Sequence, residues 1–490
     1  MEWGSSGRGK ASRWRQWSPL PFDRLQVYST LHRQLVPLVP AQPGEIGMYV
    51  CGATVQSEPH IGHGRYAVAF DLIRRYLVWR GNRVTYVRNI TDIDDKIIVA
   101  AAEAGEKVDE RAQRMESVFA KTYESLSVLP PDIEPKATEH IPQMLTLIER
   151  LIERGLAYPA PNGDVYFAVR TFEMYGRLSR QRPDELMAGA RIEVTEAKND
   201  PLDFALWKAA KPSEPSWDSP WGPGRPGWHI ECSAMAAHYL GADFAIHGGG
   251  NDLVFPHHEN EIAQSEGASG ETFSRYWLHN GMVNLGGEKM AKSTGKLVGL
   301  SAAIAEYGGA TLRLFYLRAH YRSPLEYSKE LIEAAAASVD RIRRFALRAP
   351  RPEGVEPDQA IVDHFIVAMD NDFATPEALA LIFDGMTEVN RELDNGESAD
   401  SKIAAIHQLL DVLGIRPDTI TGDVSQVRNL VDELGLAQGP LEDMMEALLE
   451  DRTMARVERD FARSDMIRDR LAESGIVVED TADGTRWFWR

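Results

Sequence analysis

The segment Ile46-Gly-Met-Tyr-Val-Cys51-Gly-Ala-Thr54-Val-Gln-Ser-Glu-Pro-His60-Ile-Gly62-His63-Gly64-Arg65 decides the fold. Its apolar run from Met48 to Val50 reads as a strand entering a turn that holds two histidines and two glycines. Behind the turn, Ala69, Leu72, Ile73, Tyr76 and Leu77 recur at helical spacing on one face. Gly81 stops that helix, and Arg83 to Ile90 is rich in strand formers. Strand, helix and strand make one βαβ unit, the element of a parallel sheet that binds ligands at the carboxyl ends of its strands.

At the first strand-to-helix junction, Gly62 and Gly64 let a backbone approach a bulky ligand, and N–H groups at a helix start attract anions. His60 and His63 can donate to phosphate oxygens as charge grows on them. A glycine turn with two incidental surface histidines is the competing reading, and these four letters alone leave both open.

A chain of 490 residues has room for three or four domains at about 150 residues each. Its 43% hydrophobic and 26% charged content is that of a soluble globular protein, without an apolar run able to span a bilayer. The opening residues carry Arg8, Lys10, Arg13 and Arg15 among Trp3, Trp14 and Trp17, without the apolar core of a signal peptide. They read as a disordered leader, so a cytoplasmic protein without a membrane partner is expected. Two cysteines, Cys51 and Cys232, exclude a disulfide framework. The net charge of −19 argues against indiscriminate nucleic-acid binding, while local arginines can still hold a shaped nucleic acid.

Further along, Asp92, Asp94 and Asp95 stand at a strand end, placed either to hold Mg²⁺ or to cap the next helix. Residues 97–155 read as helical, and 156–215 change to short β-like pieces, as in a domain inserted into the nucleotide-binding fold. The fold resumes with Trp228-His229-Ile-Glu-Cys232 and with the strand Asp243 to His247, followed by glycines to Gly250 and by Asp252. There a backbone can approach a nucleotide and Asp252 can accept from ribose hydroxyls. Pro256 suits a helix start, so His257 and Glu261 share one face. Together with Cys51 and Cys232 they are a set of zinc donors. The alternative is two core cysteines and a surface His–Glu pair. The glycine- and tryptophan-flanked settings of both cysteines favour zinc.

The loop Gly286 to Lys296 carries Lys289 and Lys292, three apart and glycine-bounded, suited to closing over a triphosphate and neutralising a departing pyrophosphate. An ordinary solvated turn is the other reading. From Gly309 to Leu441 the amphipathic segments predict an antiparallel helical bundle. In the tail, Arg452, Arg456, Arg459 and Arg463 form a basic stripe if one helix runs through Asp460, and the stripe breaks if Asp460 caps a new one. A closing hairpin around Gly484 presents Trp487, which can stack on a base or cover a small core.

Residues 23 to 490 resemble the cysteinyl-tRNA synthetase family of class I. The resemblance rests on Cys51-Gly-Ala-Thr54 through His60-Ile-Gly-His63, Asn89-Ile-Thr-Asp-Ile-Asp-Asp, Gly227-Trp-His-Ile-Glu-Cys232, His247-Gly-Gly-Gly, Phe255-Pro-His-His-Glu-Asn-Glu261 and Lys289-Met-Ala-Lys292-Ser. In the last of these Ala291 replaces a serine and Lys296 an asparagine of the family pattern.

The resemblance implies an α/β fold, with a Rossmann-like parallel-sheet catalytic domain carrying an inserted domain, then an α-helical bundle and a small α+β C-terminal domain. Its divisions would be a leader at 1–22, catalytic halves at 23–120 and 216–265, an insert at 121–215, a stem-contact region at 266–330, a bundle at 331–440 and an anticodon-binding-like domain at 441–490. It implies one Zn²⁺ on Cys51, Cys232, His257 and Glu261, and Mg²⁺ with ATP. It implies His60, His63, Lys289 and Lys292 as catalytic, and Gly62, Gly64, Gly250, Asp252 and Lys292 on ATP. Thr54, Trp228, His229 and His247 would hold the amino acid, and Arg452, Arg456, Arg459 and Trp487 the tRNA. The expected partners are tRNA(Cys), ATP and L-cysteine, and the expected state is a monomer.

Chemically, an apolar pocket separates serine from cysteine poorly, whereas zinc prefers thiolate. The expected activity is ATP-dependent ligation of cysteine to tRNA through cysteinyl-adenylate. The competing readings are a mycothiol-type cysteine ligase with a small amine acceptor, a zinc hydrolase working without ATP, and a non-catalytic tRNA-binding relative.

Overall fold

The computed structural model describes residues 24–182, 184, 197–212, 214–285, 288–289, 298–416, 424–439, 441–481 and 484–489. The leader expected at 1–22 lies outside the described residues, as do Ala291, Lys292 and Lys296. Lys289 ends the short strand Glu288–Lys289.

Four strands form the central sheet: β1 (Glu45–Val50), β2 (Arg83–Arg88), β3 (Phe244–Gly250) and β4 (Ser274–Asn280). They run in the order β4-β3-β1-β2, every pair parallel. The expected βαβ unit is β1, helix α1 (Ile61–Trp79) and β2. An insertion then separates β2 from β3, and within it Ala157–Pro159, Val165–Phe167, Phe204–Ala209 and Gly224–Pro226 pair into an antiparallel sheet in that order. Gly224–Pro226, beyond the insert's expected end at 215, thus pairs within the insert's own sheet.

Sequence spacing gave α1 one apolar face, but the helix is buried nearly all round. The sheet lies against one side, and Gly309–Leu317 and the bundle helices pack on the other. A helix so placed can keep charges only where they are paired. Asp71, buried in its middle, accepts from Arg75 (2.7 Å), Arg313 (2.6 Å) and the Leu129 N–H (2.9 Å). Burial pushes the Asp71 carboxyl up, but Arg313 and Arg75 outweigh it and hold the group below its ordinary value. Arg313 also donates to the carbonyls of Leu413 (2.8 Å) and Leu126 (3.0 Å), so one guanidinium ties α1 to the bundle. At the far end of α1, Tyr76 (2.7 Å) and Arg80 bond Asp370.

The bundle comprises Lys329–Arg348, Gln359–Asp370, Thr375–Asp394 and Asp400–Val412. Beyond it, Leu441–Val457 and Phe461–Glu473 pack with an antiparallel hairpin of Ile476–Thr481 and Gly484–Trp489, the closing hairpin expected from the sequence. Among the described residues no helix is long and apolar enough to cross a membrane.

Removing one partner from a buried ion pair leaves the other charge uncompensated, at about 3–5 kcal/mol. Arg313→Met is therefore expected to lower stability by about that amount in urea unfolding. A change within experimental error would show that Asp71 does not need it.

Candidate active site and metal centre

Two neighbouring strands and two helices bring the cysteines together. The Cys51 N–H donates to the Gly248 carbonyl (3.0 Å), so β1 stays paired with β3 one residue past its end and Cys51 is fixed at the sheet edge. Helix α2 (Trp228–Leu240) carries Cys232 in its second turn. An irregular turn, Val254–His258, leads into helix α3 (Glu259–Ser269) and supplies His257 just ahead of Glu261. Ligand atoms of Cys51, Cys232, His257 and Glu261 all lie within 4.8 Å of one another, and all four residues are buried. The Cys51 thiol lies 3.2 Å from Glu261 Oε1, and His257 Nε2 lies 3.1 Å from the same oxygen.

Neighbours hold these donors in place. His229 Nδ1 and His257 Nδ1 are 2.8 Å apart, which leaves the His257 Nε2 facing Glu261. His247 Nε2 lies 2.9 Å from Glu261 Oε2, with its Nδ1 3.3 Å from the Tyr49 carbonyl. His229 and His247, expected as substrate contacts, both touch metal-ligand candidates. Asn89 went unassigned in the sequence reading. Its Oδ1 accepts from the Gly52 N–H (2.8 Å) and lies 3.6 Å from Cys232 Sγ, joining the two cysteine-bearing segments. His258 and His279 extend the cluster, 2.7 Å apart, with His279 bonded to Thr30 (2.7 Å). A histidine and an asparagine at the end of the apolar strand Trp277-Leu-His279-Asn280 were the signal that could have found them.

Burial governs the electrostatics. It pushes the Cys51 thiol well up, with Cys232 adding to the effect, and raises the Cys232 thiol and the Glu261 carboxyl as well. It pushes His257 and His247 well below the ordinary histidine value. Neutral imidazole beside thiols and a carboxyl that shed protons only to a cation is the chemistry of a metal site. A second set, Cys51, His247, His258 and Glu261, meets the same distance. Two sulfurs make the first set the softer and the better match for zinc.

A cleft of about 280 Å³ opens beside this centre, lined by Cys51, Thr54, His60, Gly62, His63, Lys96, Trp228, Gly250 and Asp252. His60 caps α1: its Nδ1 accepts from the Gly62 N–H (3.2 Å), while His63 Nδ1 accepts from the His60 N–H (3.1 Å). The two rings stack with centroids 3.8 Å apart. Burial and the neighbouring His60 hold His63 down at about 3, so it is neutral. Trp228 lines the cleft and stacks on His257 (centroids 4.2 Å), so cleft and cluster adjoin at Trp228 and Cys51.

Other expected residues stand elsewhere. Gly64 faces away from the cleft, and a Cβ there would meet the Tyr316 hydroxyl at 2.6 Å. Gly248 and Gly249 are glycine because Phe70 and His258 press on them, at 2.3 and 2.8 Å from an added Cβ. Asp94 caps the helix Asp95–Ala104, Asp92 bonds Thr138, and Asp95 pairs with Lys208 and Arg225, so the three aspartates serve structure. Asp460 caps Phe461–Glu473 and breaks the arginine stripe. Arg452 and Arg456 both bind Asp480, and Trp487 packs against the small C-terminal core. Arg459 is exposed at the break, between exposed Val457 and Phe461.

Residues 37–337 match the family described as tRNA synthetases class I (C) catalytic domain, 364–416 match a DALR domain, and 439–490 match a cysteinyl-tRNA ligase anticodon binding domain. The chain is 50% identical over 467 residues to a cysteine–tRNA ligase of Thioalkalivibrio sulfidiphilus, covering 94% of this chain and 99% of that protein. Identity and coverage are the same for the cysteine–tRNA ligase of Alkalilimnicola ehrlichii. In fold the chain is similar to Mycobacterium tuberculosis methionyl-tRNA synthetase bound by methionyl-adenylate, with a TM-score of 0.56 at 16% identity over 82% of this chain and 96% of that one.

Because burial raises both thiols and Glu261, a divalent metal must displace protons to bind, and its affinity rises with pH. Zinc affinity measured by chelator competition is expected to strengthen at least about tenfold per pH unit between about pH 6 and about pH 8. A flat profile would contradict ligation through the thiols.

Proposed function

The chain belongs to the cysteine–tRNA ligase family of class I tRNA synthetases, and on that premise we propose that it joins L-cysteine to tRNA(Cys) through a cysteinyl-adenylate made from ATP. The observation that carries this reading is the shared edge between a buried two-thiol, imidazole and carboxyl cluster and a cleft headed by His60 and His63. Zinc held by Cys51, Cys232, His257 and Glu261 would supply a soft Lewis acid that takes thiolate in preference to hydroxyl.

The chain's own groups do the rest. His60 and His63 each spend Nδ1 on a backbone N–H, which puts the proton of either ring on Nε2, from where it donates to ATP phosphate oxygens. Being neutral, His63 has a single N–H, on Nε2, with which to donate. The N-terminus of α1 adds its own N–H groups and partial positive charge. Asp252, beside Gly250, accepts from the ribose, and Thr54 and Trp228 line the amino-acid side. The cysteine carboxylate attacks the α-phosphorus, and Lys292 with Lys289 neutralises the departing pyrophosphate, a charge that Mg²⁺ brought with ATP would share. The terminal ribose hydroxyl of the tRNA then takes the aminoacyl group. Catalysis on this account is positioning and charge stabilisation.

On the tRNA side, Arg459 replaces the paired Arg452 and Arg456 as the arginine to contact an anticodon loop. Exposed Phe461 (61%) and Val457 (73%) flank it as surfaces for unpaired bases.

Cysteine should drive pyrophosphate exchange and serine should not. Lys292→Ala should slow exchange at least about 100-fold, the effect of losing one transition-state charge partner, and an unchanged rate would remove its role. Arg459→Ala and Phe461→Ala should each raise the KM for tRNA about tenfold in aminoacylation while leaving exchange unaltered. Transfer to a small amine in place of tRNA would favour the mycothiol-type reading.

A further inference from the structure

We propose that Glu259 is a positioning residue for the metal ligands, fastening the inserted segment to the first turn of α3 so that His257 and Glu261 are held where a metal can be captured. The inference rests on the zinc reading above.

Glu259 is 1% exposed, and among the described residues no cation pairs with it. A buried carboxylate without a counter-charge is expensive unless N–H donors surround it. Here the donors come from one loop of the insert: the backbone N–H groups of Gly176 (2.9 Å), Ser179 (2.7 Å) and Leu178 (3.5 Å). Gly176 adopts φ +92, and a Cβ there would meet the Gln181 carbonyl at 2.0 Å, so the loop is shaped to turn these groups inward. The neighbouring contacts follow suit. The Tyr175 hydroxyl donates to Asn260 Oδ1 (2.5 Å) and Arg177 bonds Glu266, so residues 175–179 grip α3 at three positions.

The grip matters because of what precedes α3. Phe255, inside the turn Val254–His258, is extended (φ −139, ψ 133), so helical hydrogen bonding does not by itself fix His257. Residues two apart on a helix point about 200° away from each other, so Glu259 faces the insert while Glu261 faces the metal centre. On that inner side, Ser233 donates to Gln264 (2.6 Å) and ties α3 to α2, which carries Cys232. The first turn of α3 is therefore held from both flanks.

Glu259→Gln keeps the side chain's shape but sets an amide N–H₂ against a backbone donor. In the full-length zinc-loaded protein, transfer of zinc to a chelator should become at least about tenfold faster, as for other partners of metal ligands. The KM for cysteine in pyrophosphate exchange should rise by a similar factor, with the KM for ATP unchanged. Tyr175→Phe, which removes one oxygen from the same loop, should shift both readouts in the same direction by a smaller factor. Wild-type zinc release and cysteine KM in both variants, even with a lowered unfolding midpoint, would overturn the proposal and leave Glu259 a structural pin. Should Glu259→Gln not fold, wild-type behaviour of Tyr175→Phe overturns it alone. A wild-type protein that holds no zinc would overturn the zinc reading itself, and the proposal with it.

Discussion

Two thiols, an imidazole and a carboxyl group within 4.8 Å of each other in a dry core are the constraint to which the rest of the structure answers. Burial disfavours the charged form of every one of them. A cation would reverse that preference by taking the place of the protons. The four groups come from three distant parts of the chain, and a parallel sheet is the economical way to bring such parts to one edge. Parallel strands release their loops on the same side. Cys51 follows β1, His247 lies in β3 beside it, and the helices bearing Cys232 and Glu261 lie on either side of β3 in the chain.

A site of this kind also needs a stiff frame, because an imidazole or thiol displaced by an ångström no longer ligates. Helix α1 carries His60 and His63 at one end and is held by charge in its middle and at the other. The Asp71–Arg313 pair is completely enclosed, and Arg313 uses its remaining N–H groups on carbonyls of two separate segments. Buried ion pairs of this type add little net stability, but they penalise every other register of the parts they join. Arg80, Tyr76 and Asp370 make a second such junction a few turns away. The turn at His60 is thus fixed to the sheet by packing and to the bundle by hydrogen bonds.

Much of this was legible in the sequence, and the failures share a cause. The βαβ unit was readable because its periodicities are local. The four residues of the buried cluster were readable as a group because two lone cysteines beside glycine and tryptophan are unusual in an otherwise ordinary composition. What the sequence hid was the partner of each polar group. Asp92, Asp94 and Asp95 look like a cation site until Thr138, Lys208 and Arg225 are brought against them by the fold. The arginines at 452 and 456 look free until a hairpin returns Asp480 to them. Glycines mislead in the same way: Gly248 and Gly249 suggested an approaching nucleotide, whereas the approaching atoms belong to Phe70 and His258. Glu259 could not have been singled out, since its donors are backbone groups of a loop some eighty residues upstream.

The last step concerns how two chemistries that interfere with each other are kept apart. ATP phosphates are hard oxygen anions, and a soft-donor metal exposed to them would be partly captured by the wrong ligand. The arrangement answers this by assigning each its own donors. On the function proposed above, phosphate would meet His60, His63 and the N-terminus of α1, while Cys51 stands at the border of the same cleft and Trp228 stacks on His257 beside it. The loop from Cys51 to His60 starts at the buried cluster and ends at the cap of α1, and the segment from Gly250 to His257 likewise runs from the cleft to the cluster. On the proposed function, a substrate spanning them would carry its thiol to the cluster and its carboxylate to the cleft. On that reading the terminal atom of the side chain would be tested by the metal, since an apolar pocket separates thiol from hydroxyl poorly.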